Sequence, residues 1–363
     1  MQDYLKQNQI LTLMRFNNIL TIATLLIAAL MTSDVVAQGL VAPRASQKNV
    51  VTQTIGITDV SVTYYRPKVN EREIWGTLVP YGQVWRAGAN ENTTISFSTD
   101  AKVGGQEIAA GTYGLHIIPN DGSDWVVIFS NNASSWGSFF YNQEEDAARV
   151  NVTPRTAPMR ETLTYDFVNV QNGSAELVLN WEKIEIPVTI EVDVHTMAIA
   201  SFKDQLRSIP GFTWNGWNQA ANYCLTNEVE MEQGLQWIET SIQNQENFTN
   251  NFTKSQLLAK MGKTTESVAA LERGLEKGTA LELHQYGRNL IGQNKPEEAM
   301  KIFRRNAKEN PEVWFVSVGL ARGYQALNDN KNAVKYWKKS IEVAPENQKQ
   351  FYQNLLAQLE QPN

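Results

Sequence analysis

LVPYGQVWRAGANENTTISF, residues 78–97, is the most informative segment in the first half of the chain. Residues 80–82 predict a turn, and residues 84–85 predict a short strand. A glycine-containing loop follows and leads to a second strand, in which Ile95 and Phe97 share one face. The polar side chains of the loop stand between two apolar segments. A β scaffold would therefore hold them in place while solvent still reaches them.

Length and charge limit the number of domains and the classes of partner that the chain can have. A chain of 363 residues predicts two domains, with three as the alternative. The formal net charge of -6, with no concentrated basic segment, argues against nucleic acid or an anionic membrane as a partner. The only cysteine is Cys224, so no intrachain disulfide can form, and stability must come from the hydrophobic core.

The first 37 residues have the pattern of a signal peptide. Lys6 and Arg15 supply a basic start, residues 19–31 are apolar, and small or branched residues precede a cleavage point before Gln38. An uncleaved signal anchor is the alternative. We expect an exported, soluble protein without stable membrane insertion, periplasmic or extracellular. It would not be a lipoprotein, because no cysteine lies near the cleavage point.

After a flexible N-terminus at 38–45, residues 46–194 predict an all-β domain. Short runs of β-branched and aromatic residues, separated by turn residues, indicate about nine or ten strands, with separate strands at 175–181 and 184–192. In residues 112–118, Tyr113, Leu115 and Ile117 share one face, with Gly114 and His116 on the other. Residues 175–181 alternate in the same way and should supply core. Without helices of useful length, an antiparallel sandwich, jelly-roll-like, is the expected solution.

The pattern becomes helical after His195, with a linker predicted at 195–211 and helical repeats at 212–363. The repeats follow a 34-residue period: Ala299, Phe303 and Pro311 recur as Ala333, Trp337 and Pro345. This spacing is typical of tetratricopeptide repeats, in which small residues let paired helices approach and aromatic residues fill the gap. We expect about four hairpins and a polar capping helix at the end.

The β domain also resembles a known family. The residues that carry the resemblance are Val79 to Glu91, Ala110 to Tyr113 and Leu177 to Glu182. They are similar to the uncharacterised family named domain of unknown function 2911. That family is known mainly from exported bacterial proteins, often with helical repeats after the β domain. The resemblance implies export and this domain order, and it brings no catalytic residue with it.

The chain shows no catalytic motif. His116, His195 and His284 lie in three different regions, and none has a ligand partner at metal-site spacing, so no metal or other cofactor is predicted. There is no serine elbow of the form Gly-x-Ser-x-Gly, and Cys224 sits in a helical segment where a packed thiol is expected. The sequence does not decide whether the protein is an enzyme, but the missing catalytic motifs favour a non-enzymatic protein.

The candidate site of the β domain comprises Arg86, Asn90, Glu91, His116 and Trp136. As a ligand site, Arg86 would hold an anionic group and Trp136 would offer a stacking face. The alternative, which we favour, is a self-contained loop. In it Arg86 pairs with Glu91, Asn90 adopts a left-handed turn and bonds to backbone, and His116 is a satisfied strand histidine.

Aromatic residues are dense in the second half of the β domain. They are Trp125, Trp136, Phe139, Phe140 and Tyr141. Coplanar exposed rings would bind carbohydrate, whereas packing into the core is the commoner fate of such a cluster and is what we expect.

The favoured function is a non-enzymatic interaction module. The repeats would bind a protein or peptide in a concave groove, to which Arg288, Arg304, Arg305 and Arg322 would contribute, and the β domain would be a second binding module. One alternative is a small-ligand or carbohydrate-binding protein, or an enzyme, using the Arg86 end of the sandwich. In another, the β domain only caps the first repeat.

Overall fold

A computed structural model describes residues 42–122 and 124–360 of the chain. Over these residues it consists of an antiparallel β-sandwich followed by ten α-helices arranged as a repeat solenoid, which confirms the predicted fold class. The signal peptide predicted at 1–37 lies outside the described residues. Among the residues that are described, no helix is long and apolar enough to cross a membrane.

Ten strands in the described part of the chain form the sandwich. They are β1 Gln47–Ile55, β2 Thr58–Arg66, β3 Thr94–Phe97, β4 Ala101–Val103, β5 Gln106–Ile108, β6 Gly111–Ile118, β7 Trp125–Ser130, β8 Asp146–Val152, β9 Arg155–Val168 and β10 Ser174–Glu191. One sheet has the order β1-β2-β3-β6-β7-β8, and the other has the order β5-β4-β10-β9. All pairings between these strands are antiparallel. Both sheets bury their inner faces in one apolar core.

The alternation of side chains follows the prediction in β6 and β10. Tyr113, Leu115 and Ile117 point into the core, as do the alternate residues Ala175, Leu177, Leu179 and Trp181. One prediction was wrong in detail: residues 175–181 and 184–192 are not two strands. They belong to the single strand β10, whose pairing with β9 shifts register around Glu182. Glu182 has a positive φ, and the local bulge there does not end the strand.

Four tryptophans pack together between the two sheets. The ring of Trp75 lies 4.8 Å from Trp125, 5.7 Å from Trp85 and 5.8 Å from Trp181, measured between centroids. Trp85 and Trp181 stack with their planes 17° apart. Trp75 and Trp85 belong to the long connection between β2 and β3, whereas Trp125 lies on β7 and Trp181 on β10. The cluster therefore fixes that connection against both sheets.

The helices pair into hairpins. They are α1 Val194–Gln205, α2 Trp214–Asn227, α3 Met231–Asn244, α4 Phe248–Lys260, α5 Thr264–Lys277, α6 Ala280–Gly292, α7 Pro296–Glu309, α8 Val316–Ala326, α9 Asn330–Val343 and α10 Glu346–Glu360. The hairpins are α2/α3, α4/α5, α6/α7 and α8/α9, while α1 connects the domains and α10 packs on the last pair. Capping boxes at Asn247 and Thr279 begin α4 and α6, and Pro296 begins α7.

The repeat positions pack as the 34-residue period requires. Ala299 and Ala333 are fully buried at the crossing of their hairpins, and Phe303 and Trp337 fill the space beside them. Gly287 stands where the ring of Phe303 leaves no room for a larger residue, since a Cβ there would overlap the ring. Small and large residues thus alternate because the helices must approach closely.

The tryptophan cluster yields a stability prediction. Trp181→Ala should lower the free energy of unfolding by about 3–5 kcal/mol, because it removes a fully buried ring and leaves a cavity between the sheets. Guanidinium unfolding followed by circular dichroism measures this effect. The matched control is Trp136→Ala, which removes an exposed ring. It should change the free energy of unfolding by less than about 0.5 kcal/mol. Equal effects of the two substitutions would contradict the structural role of the cluster.

Candidate functional sites

Arg86 and His116 are brought side by side by backbone pairing. The amide of Trp85 donates to the carbonyl of Ile117, and the amide of Ile117 donates to the carbonyl of Trp85, both at 2.8 Å. Trp85 and Ile117 point inward, so the next residue on one segment and the preceding residue on the other point outward. Arg86 and His116 are these residues. They lie on the outer face of the six-stranded sheet.

A loop between β7 and β8, residues 131–142, covers this part of the outer face. Gly137 of the loop lies directly on the guanidinium of Arg86, where a Cβ would overlap Nη1, and its φ is +59°. The left-handed backbone favours glycine, and the missing Cβ leaves room for the guanidinium. The neighbouring Ser138 places its Oγ 3.1 Å from Nδ1 of His116. Under this cover the histidine is only 1% exposed, although it points away from the core.

Several polar atoms beneath the loop have no partner among the described residues. They are Nε of Arg86, Oδ1 of Asn92 and Oδ1 of Asp146, all inaccessible to solvent. A buried polar atom without a hydrogen bond costs free energy, and native structures hold few of them. Three such atoms around one histidine distinguish this region, which we call the polar centre: Arg86, Asn92, His116, Ser138 and Asp146.

Asn90 and Glu91 do not join the polar centre. Glu91 forms an ion pair with Arg44, whose Nη1 lies 2.5 and 2.6 Å from the two carboxylate oxygens. The expected pairing of Glu91 with Arg86 is therefore wrong, because Arg44, which precedes β1, pairs with the carboxylate instead. Asn90 has a φ of 57°, and its Nδ2 donates to the carbonyl of Ser46 at 3.0 Å. Both residues anchor the start of the domain.

The aromatic residues of the loop are exposed. Trp136 is 53% exposed, Phe139 79% and Phe140 71%, whereas Trp125 is buried in the tryptophan cluster. The expectation that the whole aromatic group packs into the core is therefore wrong for these three rings. They lie on loop 131–142 outside the sandwich, and the core is already filled from both sheets. Three exposed rings on one short loop form an apolar surface beside the polar centre.

Sequence analysis missed the group that holds the base of the loop. Asp146 accepts hydrogen bonds from the hydroxyl of Tyr141 at 2.7 Å and from Nη1 of Arg149 at 2.8 Å. Burial, followed by the bond to Asp146, raises the pKa of Tyr141 to about 12. Charged residues at positions 146 and 149 look like ordinary strand-surface residues in the sequence. The register of β6, β7 and β8 places them on the same sheet as His116, because Arg149 pairs with Ile128 and Ile128 pairs with His116.

His116 is not arranged as a catalytic base. Burial lowers its pKa to about 4, and the nearby Asp146 only partly opposes that shift. The ring is therefore neutral near pH 7 and scarcely accessible, although Ser138 is within hydrogen-bonding distance. The described residues also contain no group of three His, Cys, Asp or Glu side chains that could hold a metal ion. Cys224 is packed in the helical core, where burial raises its pKa to about 11.

A second candidate site lies between α6 and α8. Their side chains line a cavity of about 460 Å³, formed by Arg288, Ile291, Gly292, Arg322, Gln325 and Ala326. Arg322 lies over the ring of Trp337, with Cζ 5.7 Å from the centroid, and its Nε is inaccessible to solvent. The side chain of neither arginine forms a hydrogen bond or an ion pair with any residue in the described part of the chain. Burial and the charge of Arg288 lower the pKa of Arg322. We call this the arginine groove.

The arginine groove repeats at the period of the solenoid. Arg288 and Arg322 are separated by one repeat and occupy equivalent positions on the first helices of consecutive hairpins. His284 lies one turn before Arg288, and its Nδ1 is buried without a partner in the described residues. Burial and then the charges of Arg288 and Arg322 lower its pKa to about 4. The repeat spacing of the two arginines was visible in the sequence and would have selected them.

Arg304 and Arg305 lie elsewhere, on α7. Arg304 covers the ring of Tyr324, with Cζ 5.8 Å from its centroid. Arg305 forms ion pairs with Glu272 and Glu309 at 3.2 and 2.9 Å. The structure therefore brings together two of the four arginines considered for the groove and separates the other two from them.

The junction of the two domains contains a cavity of about 870 Å³. It lies between the β1–β2 turn, the β9–β10 turn and helices α1 and α2, where His195 Nδ1 is 3.0 Å from the hydroxyl of Tyr223. Among the described residues, no buried apolar cluster joins the domains: the sandwich core and the core of the first helices are separate.

The buried His116 gives a pH prediction. Its native pKa is about 4. The ordinary value is about 6.5, so between these two values only the unfolded chain binds the proton. The contribution of His116 to stability should be complete above about pH 6.5 and should fall by about 3 kcal/mol as the pH is lowered to about 4.

Urea unfolding between pH 4 and pH 7.5 measures this effect. The stability of His116→Asn should depend less on pH than that of the wild type, because the substituted side chain does not titrate. The control His195→Asn, at an exposed histidine, should follow the wild type. Identical curves for all three proteins would contradict the burial argument.

Comparison with known proteins finds a family model that is similar to the first domain. Residues 46–190 match the family model described as "Protein of unknown function (DUF2911)". None of the curated proteins matches the chain. The match spans nearly the whole sandwich, from the start of β1 to the end of β10, and it contains the polar centre.

Solved structures resemble the helical part. The crystal structure of MamA protein has a TM-score of 0.28 and 13% identity, and the match covers 42% of this chain and 84% of that one. The structure titled "YrrB: a TPR protein with an unusual peptide-binding site" has a TM-score of 0.27 and 16% identity, covering 44% and 83%. Likenesses at this level do not bear on what this chain binds. The repeat architecture follows from its own helices, and the DUF2911 family model matches the β domain of this chain over residues 46–190.

Proposed function

We propose that this protein is an interaction module whose helical repeats bind a protein or peptide in the arginine groove. The observation that carries the proposal is the pair of guanidinium groups at Arg288 and Arg322, which face one cavity and have no acidic partner among the described residues. Like charges placed side by side repel, and the lowered pKa of Arg322 reflects burial together with that repulsion. A bound carboxylate would relieve it.

The groove suits an acidic peptide better than a neutral one. Guanidinium groups bind carboxylates through two parallel hydrogen bonds, and the partly buried position of Arg322 makes such bonds stronger than on an open surface. The flanking Ile291 and Ala326 offer apolar contact to the rest of a peptide. The ligand we propose is therefore a peptide segment with at least one carboxylate, from an acidic side chain or from a chain terminus.

The proposal also concerns the compartment in which the protein acts. The leader-like segment at 1–37 supports export, so the partner would be an exported or surface protein. The β domain would act as a second binding module on the same chain. No step in this function requires catalysis or a cofactor.

A peptide titration tests the groove. Fluorescein-labelled hexaglutamate should bind the full-length protein, and the double substitution R288Q/R322Q should weaken binding at least about tenfold, since two charge-assisted hydrogen-bond donors are lost. Fluorescence anisotropy at low salt is the measurement. A second peptide with an amidated C-terminus shows whether the chain terminus or the side chains supply the carboxylate.

The matched control is R304Q/R305Q. It removes the same charge from α7, outside the groove, so it should change peptide affinity by less than about threefold. The groove variant should also be at least as stable as the wild type, because it relieves repulsion between the arginines. Equal weakening by both double variants would show a general charge effect and would refute the groove as the site.

A further inference from the structure

We propose that the polar centre of the β domain binds a hydroxylated carboxylate of the kind found in acidic sugars, with Arg86 holding the carboxylate. The site lies between the outer face of the six-stranded sheet and loop 131–142, away from the arginine groove. It does not depend on the function proposed for the repeats.

The guanidinium of Arg86 has no acidic partner among the described residues. It is half-buried, its Nε is inaccessible, and it makes no hydrogen bond or ion pair with any residue in the ranges that the structure describes. The acids nearby are already engaged, because Glu91 pairs with Arg44, and Asp146 pairs with Tyr141 and Arg149. A guanidinium held in this way against Gly137 is positioned for an external carboxylate or similar anion.

Asn92 needs a hydrogen-bond donor, whereas Arg86 needs an acceptor. Its side chain is only 7% exposed, and Oδ1, an acceptor, has no donor among the described residues. The amide nitrogen reaches the carbonyl of Asn132 only at 3.4 Å. Asn92 Nδ2 and His116 Nε2 lie 2.8 and 3.2 Å from the point where a Cβ of Gly114 would be, so both polar groups converge above that glycine. A ligand hydroxyl would supply the missing donor.

The two unpartnered atoms together define the ligand class. Arg86 needs a negatively charged acceptor, and Asn92 Oδ1 needs a hydroxyl or N–H donor; a sugar acid carries both groups on one small ring. His116 is neutral and contributes no charge, so the positive charge available to the ligand is that of Arg86. The charge of Asp146 is balanced by Arg149, so it does not oppose the binding of an anion at Arg86.

Loop 131–142 supplies the apolar part of the site. Trp136 adjoins Gly137, which rests on Arg86, and about half of its side chain is exposed. An aromatic face beside hydrogen-bonding groups suits the apolar face of a sugar ring. Phe139 and Phe140 extend the same surface. Because the loop already covers the polar groups of the sheet, it would have to lift for a ligand to enter between loop and sheet.

Calorimetric titration of the full-length protein tests the site, with trigalacturonic acid as the probe and maltotriose as the neutral comparison. We expect saturable binding of the acidic sugar and at least tenfold weaker binding of the neutral one. R86Q should weaken trigalacturonate binding at least about tenfold, and Arg86→Lys should restore it only partly, since lysine keeps the charge without the planar fork. Trp136→Ala, at an exposed position, should also weaken binding.

Two controls separate this site from other effects. R44Q removes an equal charge from the same domain outside the polar centre, and R288Q/R322Q removes the arginine groove; both should bind the sugar like the wild type. Circular dichroism establishes that each variant is folded, and Trp136→Ala carries the test if R86Q does not fold. The proposal is overturned if folded wild-type protein shows no saturable binding, if maltotriose binds as tightly, or if R86Q or Trp136→Ala binds like the wild type.

Discussion

The packing of four tryptophans between the sheets is the constraint that organises the β domain. Trp75 and Trp85 come from the long connection between β2 and β3. Their rings pack against Trp125 and Trp181, which belong to the two opposite sheets. Aromatic burial of this kind supplies several kcal/mol and fixes orientation as well as position. The connection is irregular, and these two tryptophans anchor it to both sheets.

That constraint also positions the polar centre. Because Trp85 packs inward and pairs with Ile117, Arg86 must point outward beside His116. Loop 131–142 then turns an outer sheet face, which would ordinarily be solvated, into a buried polar environment. The physical consequence is a neutral histidine and several polar atoms without partners in the described chain. Buried polar groups without hydrogen bonds lower the stability of the fold, so other interactions must compensate for them. Such groups are common at binding sites.

The helical half is governed by repetition. Each hairpin buries its apolar face only against its neighbours, so equivalent positions recur along the groove at the repeat period. Arg288 and Arg322 converge for that reason, and their repulsion is built into the architecture. The two candidate sites lie in separate domains, whose apolar cores do not merge. A substitution in one domain can therefore serve as a control for a substitution in the other.

Local sequence patterns were sufficient to predict the β-then-α order, the antiparallel sandwich, the inward faces of strands such as β6, and the repeat architecture. Those features depend on periodicity, which is a property of consecutive residues. The identity of the polar residues that meet could be read only from the folded chain. Glu91 pairs with Arg44 across 47 positions, loop 131–142 covers His116, and Trp136 stays outside the core. Contacts between distant segments depend on how loops fold over sheets, and no local pattern specifies that.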